Sequence, residues 1–116
     1  MIIKNLDQVE KCPVNMDGVK DAVKQLPIGK AEGSSAFSFR VFTLGPDGHT
    51  PYHTHPFEHV NYVIEGNGAL VDKDGNEHPI QKGSFAFVQA EEKHQYRNTS
   101  ASEPFVMICA VTSEYE

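Results

Sequence analysis

The chain alternates short apolar runs with residues that turn the backbone. Gly29, Gly33, Gly45-Pro46-Asp47-Gly48, Pro56, Gly66-Asn67-Gly68, Asp74-Gly75-Asn76, Gly83 and Glu103-Pro104 punctuate it at short intervals, and these residue types favour reversals over regular elements. In Ala36–Leu44, Phe37, Phe39, Val41 and Thr43 fall on one side and Ser38, Arg40, Phe42 and Leu44 on the other, the period of two of an extended strand. Val60–Ile64, Ala69–Asp72, Ser84–Val88 and Phe105–Thr112 read as strands too. Asp74-Gly75 is the signal of a two-residue hairpin. Only Asp17–Leu26 carries apolar residues at helical spacing (Val19, Ala22, Val23, Leu26), with Pro27 ending it, and the segment reads equally well as a strand. Short strands at regular spacing predict an antiparallel sandwich or barrel, so the fold class is all-β.

Length and composition narrow this further. With 116 residues the chain has room for one domain, spanning 1–116. A hydrophobic share of 39% with 22% charged residues and no low-complexity tract predicts a folded chain. Ten Lys and Arg against 16 Asp and Glu give a net charge of −6, and an acidic surface repels phosphate backbones, which argues against nucleic acid as a partner. The longest apolar runs, such as Phe105–Val111, fall far short of the roughly 20 residues that span a bilayer. The opening Met-Ile-Ile-Lys-Asn-Leu-Asp has no basic stretch followed by a long apolar one, so no signal peptide is expected. Cys12 and Cys109 lie near opposite ends and form no disulfide framework, which fits the cytoplasm. Residues 1–35 hold Ile2, Ile3, Leu6, Val9, Val14, Val19, Val23, Leu26 and Ile28, more apolar side chains than a free tail carries. They are expected to add strands to the sheet or to exchange with a partner chain.

Six histidines supply the candidate chemistry. His53 and His55 are two apart, and in a strand such residues project from one face roughly 6.6 Å apart. Two imidazoles so placed can lean onto one ion at a metal–nitrogen distance of about 2.1 Å. His59 follows the Pro56-Phe57-Glu58 bend and opens the next strand, and His94 stands where a later strand begins. Spacing alone does not separate a metal site from surface histidines on an edge strand.

Gly48 to Gly66 resembles the first motif of the cupins, in which a glycine, five residues, His-x-His, three or four residues, Glu, six residues and Gly follow in order. Gly83 to Asn98 resembles the second, with His94 in the histidine position and 16 residues between the two motifs. Four positions depart from the pattern. His59 stands where glutamate is usual, Asp47 and Glu91 where glycine is usual, and Gln89 where proline is usual. The resemblance implies a cupin barrel (a double-stranded β-helix or jelly roll), with the conserved barrel over 36–112. It also implies a metal held by His53, His55, His59 and His94, as in small bacterial cupins with a four-histidine centre.

Four neutral imidazoles give the ion no negative charge, which leaves it a strong Lewis acid. Mn, Fe, Ni or Cu is expected, with Zn as a further possibility. An octahedral ion would keep two positions open to a small-molecule substrate or dioxygen. Strand parity proposes further residues around it: Asn61 beside His59, Tyr96 beside His94, Phe85 and Phe87 as cavity walls, and Met107 and Cys109 on one face of the last strand. Asn61 could equally satisfy a neighbouring backbone group, residues such as Tyr96, Phe85 and Phe87 are more often plain core, and an inert buried thiol is the default for Cys109. His49 reads as pocket rim or turn, His78 as solvated surface, and Arg40 as an anion receiver or, better, a surface residue paired with an acidic neighbour. Family analogy favours a dioxygenase-type oxidoreductase. The alternatives are a non-redox isomerase or lyase on a sugar or keto acid, with Tyr96 or Glu91 as acid or base, and a non-enzymatic ligand-binding or sensor protein. A homodimer is expected from the same resemblance.

Overall fold

The expected strands are present, and the ambiguous N-terminal segment is a strand as well. The computed structural model describes Met1–Glu116. Nine strands follow in order: β1 (Cys12–Pro13), β2 (Lys20–Ile28), β3 (Phe37–His49), β4 (His59–Glu65), β5 (Asn67–Val71), β6 (Glu77–Gln81), β7 (Phe85–Val88), β8 (Gln95–Asn98) and β9 (Phe105–Thr112). Short 3-10 turns occupy Leu6–Gln8, Lys30–Glu32 and Ser113–Tyr115. Within β2 the helical spacing of Val19, Ala22, Val23 and Leu26 is overridden by pairing: Val23 lies opposite Thr43 and Gln25 opposite Val41 on the long strand β3. Tertiary pairing of this kind commonly wins over local periodicity.

All pairings are antiparallel and run in the order β6-β5-β8-β3-β9-β4-β7, with β2 also on β3 and β1 on β2. The sheet curls into a half-barrel. Strand β3 is long enough to pair with β2 and β9 along its length and with β8 at its far end, where His49 meets Arg97. Inside the curl, Ala22, Leu44, Val63, Tyr96, Phe105 and Met107 form the buried core. Asn98 ties β3 and the loop before β9 to it, its Nδ2 donating to the carbonyls of Leu44, Gly45 and Glu103 at 3.1, 3.0 and 2.8 Å.

Two local expectations are corrected. The β5–β6 connection is not a two-residue hairpin; it runs over 72–76, and Asp72 Oδ1 accepts from the N–H groups of Asp74 and Asn76 at 2.9 and 3.0 Å. That side-chain bridge stabilises the longer turn. Phe85 and Phe87 are not cavity walls. Register puts Val88 opposite His59 and Ala86 opposite Asn61, so the inward face of β7 carries Ala86 and Val88. Phe85 and Phe87 point outward, 76% and 54% exposed.

The motif departures have a conformational signature. Gly66 and Gly83, present as the pattern asks, have φ of 91° and 94°. Asp47 and Glu91, which replace the other two glycines, have φ of 60° and 63°. The backbone is left-handed at all four positions, whether or not a side chain opposes it. A residue with a Cβ adopts that conformation at a cost of about 1–2 kcal/mol. Glu91→Gly relieves that strain, partly offset by the greater freedom glycine has when unfolded. It is expected to raise stability by up to about 1 kcal/mol in urea unfolding, and a loss of stability would contradict this reading.

Candidate metal centre

The loop between β3 and β4 carries His53 and His55, and its position is fixed by backbone contacts with the segment before β8. His53 and His94 form an isolated antiparallel bridge, with His53 N–H donating to His94 O at 3.1 Å and His94 N–H to His53 O at 3.0 Å. Glu91 N–H donates to His55 O at 2.8 Å. Residues 41 positions apart in the chain are thereby registered by main-chain geometry, and His59 enters from the first residue of β4.

The rings converge. Centroids lie 5.2 Å apart for His53–His55 and His53–His94, 4.8 Å for His55–His94, and 5.1 Å for His55–His59 and His59–His94. The nitrogens of His53, His55 and His94 lie within 4.8 Å of one another, a three-histidine cluster that could hold a metal ion. His59, expected as an equal fourth member, stands just outside this triad. Its Nδ1 is drawn 2.6 Å from Asn61 Oδ1, while its Nε2 touches the cluster, 3.2 Å from His94 Nε2.

Hydrogen bonding sets the proton positions. His55 Nδ1 lies 2.8 Å from Phe57 O and His94 Nδ1 lies 2.7 Å from Glu92 O. Carbonyl oxygens only accept, so each Nδ1 carries the proton and each Nε2 keeps a bare lone pair. Asn61 fixes His59 in the same way. Its Nδ2 donates to Ile108 O at 3.4 Å, leaving Oδ1 to accept from His59 Nδ1 and from the Tyr96 hydroxyl at 2.8 Å. Two bare Nε2 atoms therefore face one another at 3.2 Å.

That arrangement is repulsive without a cation and fits one well. Two ligands at about 2.1 Å from a shared ion lie roughly 3.0 Å apart at a right angle and roughly 3.4 Å apart at the tetrahedral angle. Burial holds the imidazoles of His53 and His94 below the ordinary histidine pKa, with the neighbouring histidines acting in the same direction, and burial pushes His59 down to about 3. These three rings therefore need lose no proton at neutral pH to bind a metal.

The cluster opens into a cavity of about 340 Å³. Asn61, Tyr96, Met107 and Cys109 line it, as do Arg40, Phe42 and Phe57. Burial pushes the Tyr96 phenol well above its ordinary pKa, so Tyr96 holds its proton and donates it to Asn61 Oδ1. Burial likewise raises the Cys109 thiol, although Arg40 pulls the other way. His49 lies off the cavity against Thr50 O and the Gln95 amide, and His78 is exposed, 2.8 Å from Asp72 Oδ2. Glu91 is exposed and does not line the cavity. Arg40 forms no pair with an acidic neighbour: it faces the cavity from β3. Val14, Met16 and Val19, which belong to no motif, line the cavity as well. Phe57 stacks on His55 at 3.9 Å and on Tyr115 at 4.3 Å, so the C-terminal turn supports the His55 ring.

Residues 40–111 match the family described as Cupin domain (Cupin_2). The chain belongs to the cupin family. This cupin is 23% identical over 96 residues to the L-ectoine synthase of Mycolicibacterium gilvum, a match that spans 82% of this chain and 72% of that protein. It superposes on the polyketide cyclase RemF from Streptomyces resistomycificus with a TM-score of 0.91 at 25% identity, over 97% of this chain and 80% of that one. A predicted oxalate decarboxylase from Thermotoga maritima superposes with a TM-score of 0.82 at 22% identity, over 96% of this chain and 98% of that one, a likeness of fold alone.

Proposed function

We propose that this cupin is a metal-dependent enzyme that closes a ring in a small carbonyl-containing substrate by non-redox chemistry. The observation that carries the reading is the pair of bare Nε2 atoms facing each other at 3.2 Å at one side of a largely apolar cavity. In this reading His53, His55, His59 and His94 hold one divalent ion of the Mn, Fe, Ni, Cu or Zn group. The bound ion would supply Lewis acidity to a substrate oxygen. The chain's own residues do the rest. Asn61 fixes the His59 tautomer, and Tyr96 holds Asn61 and keeps its own proton. Phe42, Phe57 and Met107 exclude water and confine a flexible chain. No Asp or Glu lines the cavity to act as general base, so the C–H proton of a substrate activated at a polarised carbonyl would pass to water. The likeness to RemF supports cyclisation over the isomerase and lyase alternatives.

A dioxygenase-type oxidoreductase is the second reading, favoured by the absence of that base. Oxygen dependence separates the two. Protein loaded with zinc and supplied with a linear poly-β-keto thioester under anaerobic conditions is expected to give a cyclised product lighter by water, seen by mass spectrometry. Conversion only with iron or copper and only in air would overturn cyclisation in favour of the oxidative reading.

We propose further that the active form is a homodimer. Phe39, Ala110, Val60 and Phe87 form one row across β3, β9, β4 and β7, and Val41, Ile108, Tyr62 and Phe85 form the next. Phe39, Val60, Phe85 and Phe87 are exposed, and a contiguous apolar sheet face of this kind suits packing against its own copy. The double substitution Phe85→Glu with Phe87→Glu is expected to give a folded monomer in sedimentation equilibrium. A wild-type chain that is already monomeric would contradict the proposal.

A further inference from the structure

The cavity of this acidic protein has a cationic lining. The chain holds 16 Asp and Glu, yet none of them lines the cavity, and its one cationic side chain other than histidine is Arg40. Arg40 is half-buried and lacks the partners such a guanidinium normally finds. It makes no salt bridge. Its Nη2 donates to the Cys109 thiol at 2.8 Å, its Nη1 reaches Tyr115 O only at 3.5 Å, and its buried Nε has no partner. The guanidinium otherwise lies over the Phe42 ring at 5.2 Å.

The nearest candidate counter-charge is already engaged. The Glu116 carboxylate accepts from Ser38 Oγ and from Lys30 N–H, and Lys24 Nζ donates to Glu116 O at 3.2 Å. Lys24 is itself held below the ordinary lysine pKa, by burial first and by the Arg40 charge second, with Glu116 acting the other way. Uncompensated buried charge is costly unless something pairs with it. Neutral imidazole ligands would leave the charge of a bound ion undiminished, adding to the same sign. An anion entering this cavity meets no repelling carboxylate and finds an under-bonded fork donor suited to two oxygens.

We propose that Arg40 is the anion-receiving residue of the cavity, and that the substrate carries a carboxylate, or an equally acidic enol, which pairs with the guanidinium while its apolar body lies along Phe42 and Met107. This deepens the ring-closure reading and rests on it for the reaction, but the anion preference itself needs neither metal nor turnover. Arg40 would thereby decide which end of the substrate approaches the histidines, a positioning and specificity role.

The test uses the metal-free protein, so that its outcome is independent of the metal centre. Naphthoate and naphthamide, which match in shape and differ in charge, are titrated by calorimetry and by NMR shifts into the wild type, Arg40→Met and Arg40→Lys. The acid is expected to bind the wild type roughly ten- to a hundredfold more tightly than the amide. Arg40→Met should abolish that preference, and Arg40→Lys should retain part of it. If Arg40→Met does not fold, the acid-to-amide ratio of the wild type and of Arg40→Lys decides alone. Equal affinity for acid and amide, no binding of the acid by the wild type, or undiminished acid binding by Arg40→Met overturns the proposal. Equal affinity of the wild type for acid and amide, with its metal binding intact, would refute the Arg40 role and leave the metal reading standing.

Discussion

The structure of the site turns on a repulsion. Three backbone or amide oxygens, Phe57 O, Glu92 O and Asn61 Oδ1, take the Nδ1 protons of His55, His94 and His59. Each ring is thereby turned so that an unprotonated Nε2 faces its neighbours, and two of these stand 3.2 Å apart. Nothing in a hydrogen-bonded core requires that arrangement, since a swap of tautomer in one ring would relieve it. The carbonyls forbid the swap. Oxygens that accept from the far nitrogen of a ligating histidine, and so fix its tautomer, are the usual means of aiming lone pairs at an ion. Here they are built from the bend after His55, the turn before His94 and a buried amide anchored by Tyr96.

The fold exists around this point in a specific way. Strand β4 delivers His59 and Asn61 from one face, and the bridge between His53 and His94 locks the preceding loop to the start of β8. The loop that makes the bridge contains Glu91 in left-handed conformation, with its N–H on His55 O. Backbone strain at Glu91 and side-chain repulsion at the histidines thus lie on the same few residues, as is common where a site is held in one geometry by its surroundings. The exchange of a carboxylate for His59 belongs to the same design. It removes the only anionic ligand that the motif would supply, and so leaves Arg40 and any bound cation with no internal counter-charge.

Much of this was legible in the sequence, for identifiable reasons. The His-x-His pair, His59 and His94 could be located because motif spacing fixes position along the chain, and the strands because their alternation is a local property. The faces of β7 were not legible. Phe85 and Phe87 are a period-two pair of large apolar residues, and only the pairing of Val88 with His59 shows that this pair points outward. The helical spacing in Asp17–Leu26 left helix and strand equally open for the same reason, because pairing with β3 is a long-range fact. Arg40 sat on the correct face in parity with Phe42, but an acidic chain suggested an acidic neighbour, and the structure provides none. Val14, Met16 and Val19 reach the cavity lining from an N-terminal segment that carries no motif and gives no signal beyond its hydrophobicity.

The central claim is that four imidazole nitrogens converge on one divalent ion, with His59 joining the triad of His53, His55 and His94. X-ray absorption at the metal edge of protein loaded with one equivalent of zinc or cobalt tests it most directly. The account predicts four imidazoles by outer-shell scattering, with any remaining ligands being light oxygens, and three imidazoles in a His59→Gln variant. Three imidazoles in the wild type, unchanged by that substitution, or a sulfur ligand from Cys109, would contradict it.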